Sequence, residues 1–181
     1  MVEQLSFQIE EGGSIPTSPL QFVVSELSAK SACELNALWH SRLPYIHWSN
    51  VVRNIHYVCY VARYDGHPLA VGIWSTPVAG NRLKDGRRLL ELRRLAVCAE
   101  APKFTSSWMI GVMVKLIRKK FPDVIKLISY QDTEVHQGTI YKASNWIASE
   151  PAKALSWTTR TRQRNKEQTL APKIRWEYPI T

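Results

Sequence analysis

Two apolar runs joined by a tight turn restrict most strongly how this chain can fold. The runs are "HYVCYVARY" (56–64) and "PLAVGIWSTP" (68–77), and both are rich in β-branched and aromatic residues. The residues "DGH" between them are typical of a hairpin turn. The sequence therefore predicts two neighbouring antiparallel strands, to which the rest of a sheet can be added.

Strands and helices are predicted to alternate along the rest of the chain. A helix over 25–38 precedes the hairpin, because its leucines recur on a helical period. After the hairpin we predict a strand over "LLELRRLAVC" (89–98), a helix over "TSSWMIGVMVKLIRKKF" (105–121) with Thr105 or Ser106 as N-cap, a strand over "VIKLISY" (124–130), a short helix over "GTIYKASNW" (138–146) and a final strand. This order indicates an α/β or α+β domain in which helices flank a central mixed sheet.

Length and composition narrow the class of protein. A chain of 181 residues fits one domain, and we expect a polar lead-in over 1–24 and a single domain over 25–181. The net charge of +9 favours a polyanionic partner, nucleic acid first, although an inert basic surface is the alternative. Three widely spaced cysteines and the lack of a signal peptide or membrane-spanning run predict a cytoplasmic protein with reduced thiols and no membrane partner.

The C-terminal part of the chain carries a basic segment. Arg160, Arg162 and Arg164 are spaced by two, so in an extended chain they would lie on one side and could contact successive phosphates. Lys166 adds a further positive charge, and Trp157 could stack on a base. We expect this segment to bind DNA, and a solvated tail is the alternative.

Charged residues interrupt the strand "LLELRRLAV". Because side chains alternate along a strand, we expect Glu91 and Arg93 on one face and Arg94 on the other. An edge strand with one solvated face would explain them. The other explanation is a carboxylate and an arginine that face a cleft.

The stretch "LISYQDTEVHQGTIYKASNW" (127–146) is the strongest candidate for a functional site. It places Asp132 at the carboxyl end of a strand, where open α/β sheets bind ligands. His136 follows in the loop, and Tyr141 lies in the helix after Gly138. Asp132 and His136 could form an acid–base pair or bind a metal, or Asp132 could only cap the helix and Tyr141 only pack.

The order of elements from the hairpin onward, together with "GTIYKASNWIAS", resembles GNAT acetyltransferases. The resemblance implies a GNAT-like fold. In that family a glycine-rich loop after the third of these strands cradles the coenzyme A pyrophosphate. Here the segment is "CAEAPKFTSSW", which has no glycine, so we do not expect acetyl-CoA to bind in the usual manner.

A closer resemblance is to the Mom family of phage DNA-modification proteins. It rests on "LWHSRLP", "LLELRRLAVCAEAPK", "ISYQDTEVHQGTIYKASNW" and "KIRWEYPI", which span most of the chain. The resemblance implies transfer of a small carbamoyl-type (methylcarbamoyl) group to N6 of adenine in double-stranded DNA, which protects phage DNA from host restriction. The expected compartment is then the cytoplasm of the host cell.

The family's motifs fall on six positions of this chain: His40, Glu91, Arg94, Asp132, His136 and Tyr141. The resemblance implies catalytic roles for Asp132, Tyr141, Glu91 and Arg94. It also implies Fe(II), held by His40, His136 and either Asp132 or Glu91. The target adenine is expected to be flipped out of the duplex, and Tyr130, Tyr141 and Trp146 are candidates to hold it.

Two other functions are compatible with the sequence. One is a GNAT acyltransferase that uses acetyl-CoA on a protein or a small amine. The other is a DNA-binding module without catalysis. The sequence leaves open the donor of the transferred group, the DNA context and the oligomeric state, with a homodimer among the options.

Overall fold

A computed structural model describes residues 15–40, 44–77, 88–134, 137–149 and 172–180. They form a seven-stranded mixed sheet with the strand order β1-β2-β3-β4-β5-β7-β6. The strands are β1 (Val23–Glu26), β2 (Tyr57–Tyr64), β3 (His67–Ser75), β4 (Leu89–Val97), β5 (Lys126–Asp132), β6 (Ile147–Ala148) and β7 (Lys173–Pro179); the helices are α1 (Ala29–Trp39), α2 (Ser49–Val52), α3 (Thr105–Lys120) and α4 (Thr139–Lys142), with a 3-10 turn at Pro19–Gln21. None of the helices within these ranges is long and apolar enough to cross a membrane.

Apolar helix faces cover both sides of the sheet and make two cores. On one side α1 and α2 pack on β2, β3 and β4 through a cluster that includes Cys33, Val51 and Ile73. On the other side α3 packs through a larger cluster that includes Met113 and Trp74. We call these two sides of the sheet the α1 face and the α3 face.

The predicted hairpin is confirmed. Strands β2 and β3 pair antiparallel up to Tyr64 and His67. Between them Asp65 has φ +48° and Gly66 has φ +77°, so both turn residues are left-handed. A two-residue turn with two positive φ angles matches the natural twist of a hairpin, and Asp-Gly adopts it readily.

The N-terminal part differs from the prediction. The helix begins at Ala29 and not at residue 25, because the Ser28 hydroxyl caps it by accepting a hydrogen bond from the Ser31 amide at 3.1 Å. Residues Val23–Glu26 form the edge strand β1 instead, so strand structure already begins within the predicted lead-in. A four-residue edge strand is too short to show a clear alternation of apolar and polar residues, so the sequence does not predict it.

Helix α3 is confirmed, with a different N-cap. Its N-cap is Phe104 rather than Thr105 or Ser106. The Thr105 hydroxyl instead donates to the carbonyl of Pro102 at 2.7 Å. The last turn carries three basic residues, which interact favourably with the negative end of the helix dipole.

A β-bulge in β4 overturns the predicted placement of its charged residues. Ile73 lies opposite Arg94, whereas the next residue of β3, Trp74, lies opposite Leu92, so Arg93 is an extra residue without a partner in this ladder. The bulge shifts the alternation by one residue. Glu91 and Arg94 therefore both lie on the α1 face. A regular alternation would have placed them on opposite faces.

Strands β4 and β5 pair only over a short distance. Their parallel ladder joins four residue pairs and ends at Leu92 and Ser129. Beyond this point β4 continues with β3, and β5 continues with β7 as far as Asp132. The bulge at Arg93 begins directly after the last pair. The two strands thus leave an opening at their carboxyl ends, the edge at which α/β sheets bind ligands.

We predict that Gly138→Ala destabilises the protein. A β-carbon at this position would lie 2.5 Å from Cζ2 of Trp176 and 2.6 Å from Oε1 of Gln131, and φ is +72°. We expect a loss of about 2–3 kcal/mol in the free energy of unfolding, which lowers Tm by about 4–12 °C.

The matched control is Gly111→Ala in α3. A β-carbon there meets no atom within 4 Å, so the gain in helix propensity should stabilise the protein by up to about 1 kcal/mol. Equal Tm shifts of the two variants in thermal unfolding would contradict the packing described at Gly138.

Candidate active site

The opening between β4 and β5 separates two groups of polar side chains. Opposed residues of a ladder share a face, so Leu92 and Ser129 lie on the α3 face, while Glu91 and Ile128 lie on the α1 face. Along β5 the side chains alternate. Gln131 is therefore on the α3 face, and Tyr130 and Asp132 are on the α1 face beside the charged residues of β4.

On the α3 face a hydroxyl pair lies where the ladder ends. The Tyr141 hydroxyl and the Ser129 hydroxyl are 2.8 Å apart. The Ser129 hydroxyl also lies 3.3 Å from the carbonyl oxygen of Leu92, to which it can donate. Tyr141 and Ser129 are both buried. Burial raises the pKa of Tyr141, outweighing the hydrogen bond with Ser129, so its hydroxyl stays protonated at neutral pH.

Aromatic packing holds Tyr141 in this position. Its ring stacks on Trp176 with centroids 5.3 Å apart. The Trp176 indole N–H donates to Oε1 of Gln131 at 2.8 Å. Ser129 and Gln131 are site residues that the sequence did not predict. Both are polar residues on the same face of a buried strand, two positions apart. This pattern could have indicated them, because buried polar side chains need hydrogen-bond partners.

On the α1 face the bulge brings two arginines next to one carboxylate. Arg93 and Arg94 both interact electrostatically with Glu91. An Nη1 of Arg93 donates to the Ser75 hydroxyl at 3.4 Å, and Nη1 of Arg94 donates to the Arg93 carbonyl at 2.7 Å. Burial lowers the pKa of both guanidinium groups from the ordinary value, and the neighbouring Glu91 opposes that shift.

Asp132 lies at the carboxyl end of β5, as predicted. Its Oδ1 accepts a hydrogen bond from the amide of Glu134 at 3.1 Å, which holds the carboxylate in the turn after the strand. The N-cap of α4 is Gly138, so Asp132 does not cap that helix. A role as helix cap, which was one of the purely structural explanations for Asp132, is therefore excluded.

The predicted iron ligands are only partly within the described residues. His40 is the C-cap of α1, where its backbone N–H donates to the Asn36 carbonyl at 2.9 Å. His136 lies outside the described residues. Over the described ranges, no three His, Cys, Asp or Glu side chains come together to hold a metal ion. The described residues alone therefore do not supply three ligands for iron, and the iron site stays a prediction.

The segment before α3 supplies some features of an anion site without glycine. Phe104 has φ +69°, a left-handed conformation that normally favours glycine. The first turn of α3 has neither a side-chain cap nor an acidic residue, so its N–H groups could meet a phosphate.

Two of the aromatic residues proposed to hold a base are packed in the α3 core. Tyr141 and Trp146 are buried, and their ring centroids are 5.7 Å apart. In this arrangement neither ring face is open to a base. Tyr130 lies on the α1 face instead. The predicted DNA-binding residues Trp157, Arg160, Arg162, Arg164 and Lys166 lie outside the described residues.

We predict that the Tyr141 and Ser129 hydroxyls stabilise each other. In a double-mutant cycle of Tyr141→Phe and Ser129→Ala, denaturant unfolding should give a coupling energy of about 1 kcal/mol. Each single substitution already removes the same buried hydrogen bond, so the double variant loses nothing more from it. Strictly additive effects of the two substitutions would contradict this contact.

Solved structures establish the fold. The chain is 13% identical to the ribosomal-protein-S18-alanine N-acetyltransferase from Escherichia coli, with a TM-score of 0.62 and coverage of 88% of this chain and 94% of the other. It is 12% identical to an acetyltransferase of the GNAT family from Streptococcus pneumoniae, with a TM-score of 0.59 and coverage of 88% and 99%. It is also 10% identical to an aminoglycoside acetyltransferase in complex with coenzyme A, with a TM-score of 0.60 and coverage of 87% of this chain and 94% of the other. The predicted GNAT-like fold is thereby confirmed.

The family follows from the sequence as a whole. No curated protein matches the chain. The family model of the Mom protein family matches residues 47–177, a range that contains the bulge in β4, the opening beside it and α4. This range covers well over half of the 181 residues. The chain therefore belongs to the Mom protein family.

Proposed function

We propose that this protein is a transferase that adds a small carbamoyl-type group, methylcarbamoyl, to N6 of adenine in double-stranded DNA and so protects that DNA from restriction. The observation that carries the proposal is the family match over residues 47–177. The fold, which is that of N-acetyltransferases, is compatible with transfer of a group through its carbonyl carbon.

The chemistry needs both a base and an acid. The lone pair of adenine N6 is delocalised into the ring, so the amine is a weak nucleophile. Its attack on an activated carbonyl carbon forms a C–N bond, the bond from that carbon to the leaving group breaks, and N6 loses a proton. A positioned base that takes this proton and an acid that protonates the leaving group typically contribute about 10²–10⁴-fold each.

The two sides of the opening offer these groups in separate places. Asp132 and Glu91 supply carboxylates on the α1 face, where we assign the base and the adenine. Tyr141 supplies a hydroxyl on the α3 face, hydrogen-bonded to Ser129, and we assign it to protonate the leaving group. Arg94 on the α1 face is assigned to stabilise negative charge that develops on the carbonyl oxygen. No step of this scheme depends on a metal.

Positive charge supports DNA as the substrate. The chain carries a net charge of +9, which favours binding to the phosphate backbone. The base must leave the duplex for its N6 to be attacked freely, so we propose a flipped adenine.

We predict that DNA from cells that express the protein contains deoxyadenosine with a small mass increase. Asp132→Asn should reduce this product by at least about 100-fold, because it removes the proposed base without changing the shape of the side chain. Mass spectrometry of the nucleosides measures both quantities.

Asp123→Asn is the matched control. Asp123 is exposed at the opposite end of the sheet, in the turn before β5, and its substitution should leave the product unchanged. Unmodified deoxyadenosine alone in DNA from cells with the wild-type protein would refute the proposed activity in that host.

A second candidate is an acyltransferase that uses acetyl-CoA on a protein or a small amine. It is favoured by the structural likeness to an acetyltransferase in complex with coenzyme A and by the uncapped start of α3. Titration calorimetry with acetyl-CoA separates the two candidates. Saturable binding together with unmodified DNA would favour the second.

A further inference from the structure

The arginine pair on the β4 bulge carries more positive charge than its surroundings compensate. Within the described part of the chain, one carboxylate, that of Glu91, interacts electrostatically with both Arg93 and Arg94. Among the described residues, the pair donates hydrogen bonds to neutral groups: the Ser75 hydroxyl and the carbonyls of Pro44 and Arg93. A partly buried site with a surplus positive charge is suited to an anion.

The hydrogen-bond donors of the pair are also incompletely used. Each guanidinium has five N–H donors. Nε of Arg94 is buried and has no acceptor in the described structure. The contact from Arg93 to the Ser75 hydroxyl is long, at 3.4 Å. A planar guanidinium with free donors matches the geometry of a phosphate oxygen pair.

An exposed aromatic strip lies next to this pair. It consists of Tyr45, His47 and Trp48, of which Tyr45 is 50% and Trp48 39% exposed. The ring of His47 lies 6.3 Å from that of Tyr45 and 5.5 Å from that of Trp48. Exposed rings of this kind are available for stacking, unlike those in the core.

Two contacts attach the strip to the body of the protein beside the arginines. Nη2 of Arg94 donates to the carbonyl of Pro44, the residue before the strip, at 3.4 Å. The side chain of Ile46, within the strip, is buried in the core under α1. Phosphate donors and stacking rings are thus brought together on the α1 face.

We infer that the arginine pair and the aromatic strip bind the target nucleotide of the DNA substrate, with Arg93 of the pair holding a phosphodiester and the strip stacking on a base. The inference rests on the proposed function, because it takes DNA as the substrate. The strip then stacks on the base, which Tyr141 and Trp146 cannot do because both are buried. Base stacking on aromatic residues and phosphate contacts by arginine are the usual elements of such binding.

The test is the salt dependence of binding to a fluorescent duplex, followed by anisotropy. Arg93→Gln should weaken binding about tenfold at 0.1 M salt. It should also make the negative slope of log K against log salt concentration shallower by about 1, as expected for one lost phosphate contact. Tyr45→Ala should weaken binding about tenfold with an unchanged slope, because stacking releases no counterions. Arg93→Lys, which keeps the charge, should restore the slope.

Lys115→Gln is the matched control for charge. Lys115 is exposed on α3, on the other side of the sheet, so its loss should leave both affinity and slope unchanged. Arg93 is chosen over Arg94 because Arg94 holds two backbone carbonyls. A thermal unfolding curve for each variant verifies that it is folded.

The outcomes distinguish the inference from the proposed function. If the wild-type protein does not bind DNA, the proposed function and the inference both fail. If it binds and folded Arg93→Gln and Tyr45→Ala bind as Lys115→Gln does, the inference is wrong while the proposed function stands. In that case the arginine pair only ties β4 to the segment at Pro44.

Discussion

The site depends on the short parallel ladder between β4 and β5. It joins only four residue pairs before the strands separate. Because both strands remain paired on their other sides, a continuous ladder flanks the opening on each side. The opening therefore has polar side chains on each face of the sheet, at the carboxyl ends of both strands. The hydroxyl of Tyr141 approaches from one side, and Asp132 and the charges of β4 lie on the other.

The bulge at Arg93 explains why charged residues occupy a central strand. A central strand without a bulge would direct some of these charges into the apolar α3 core, at a cost of several kcal/mol for each unpaired ion. The extra residue directs Glu91 and Arg94 to the same side instead. Even there burial disfavours the charged guanidinium groups, so the fold bears a cost at this position. Such costs are commonly found at functional sites.

Regular elements could be predicted from the sequence because local chemistry determines them. The Asp65-Gly66 turn and the apolar face of α3 are visible as patterns of residues. The faces of β4 were wrongly predicted, because a bulge depends on the register with β3 and leaves no clear mark in one strand. Asp132 was correctly placed at a strand end. The burial of Tyr141 and Trp146, and the exposure of Tyr45, depend on packing between distant segments, which no local pattern reveals.

The central claim is that the opening between β4 and β5, with the α1 face beside it, receives the DNA. Amide hydrogen exchange of the full protein, with and without an adenine-containing duplex, tests it most directly. The account predicts slower exchange on DNA binding in residues 44–48, 93–97 and 129–132, and unchanged exchange in residues 120–124 at the opposite end of the sheet. Protection confined to residues 120–124, with no change around the opening, would contradict it.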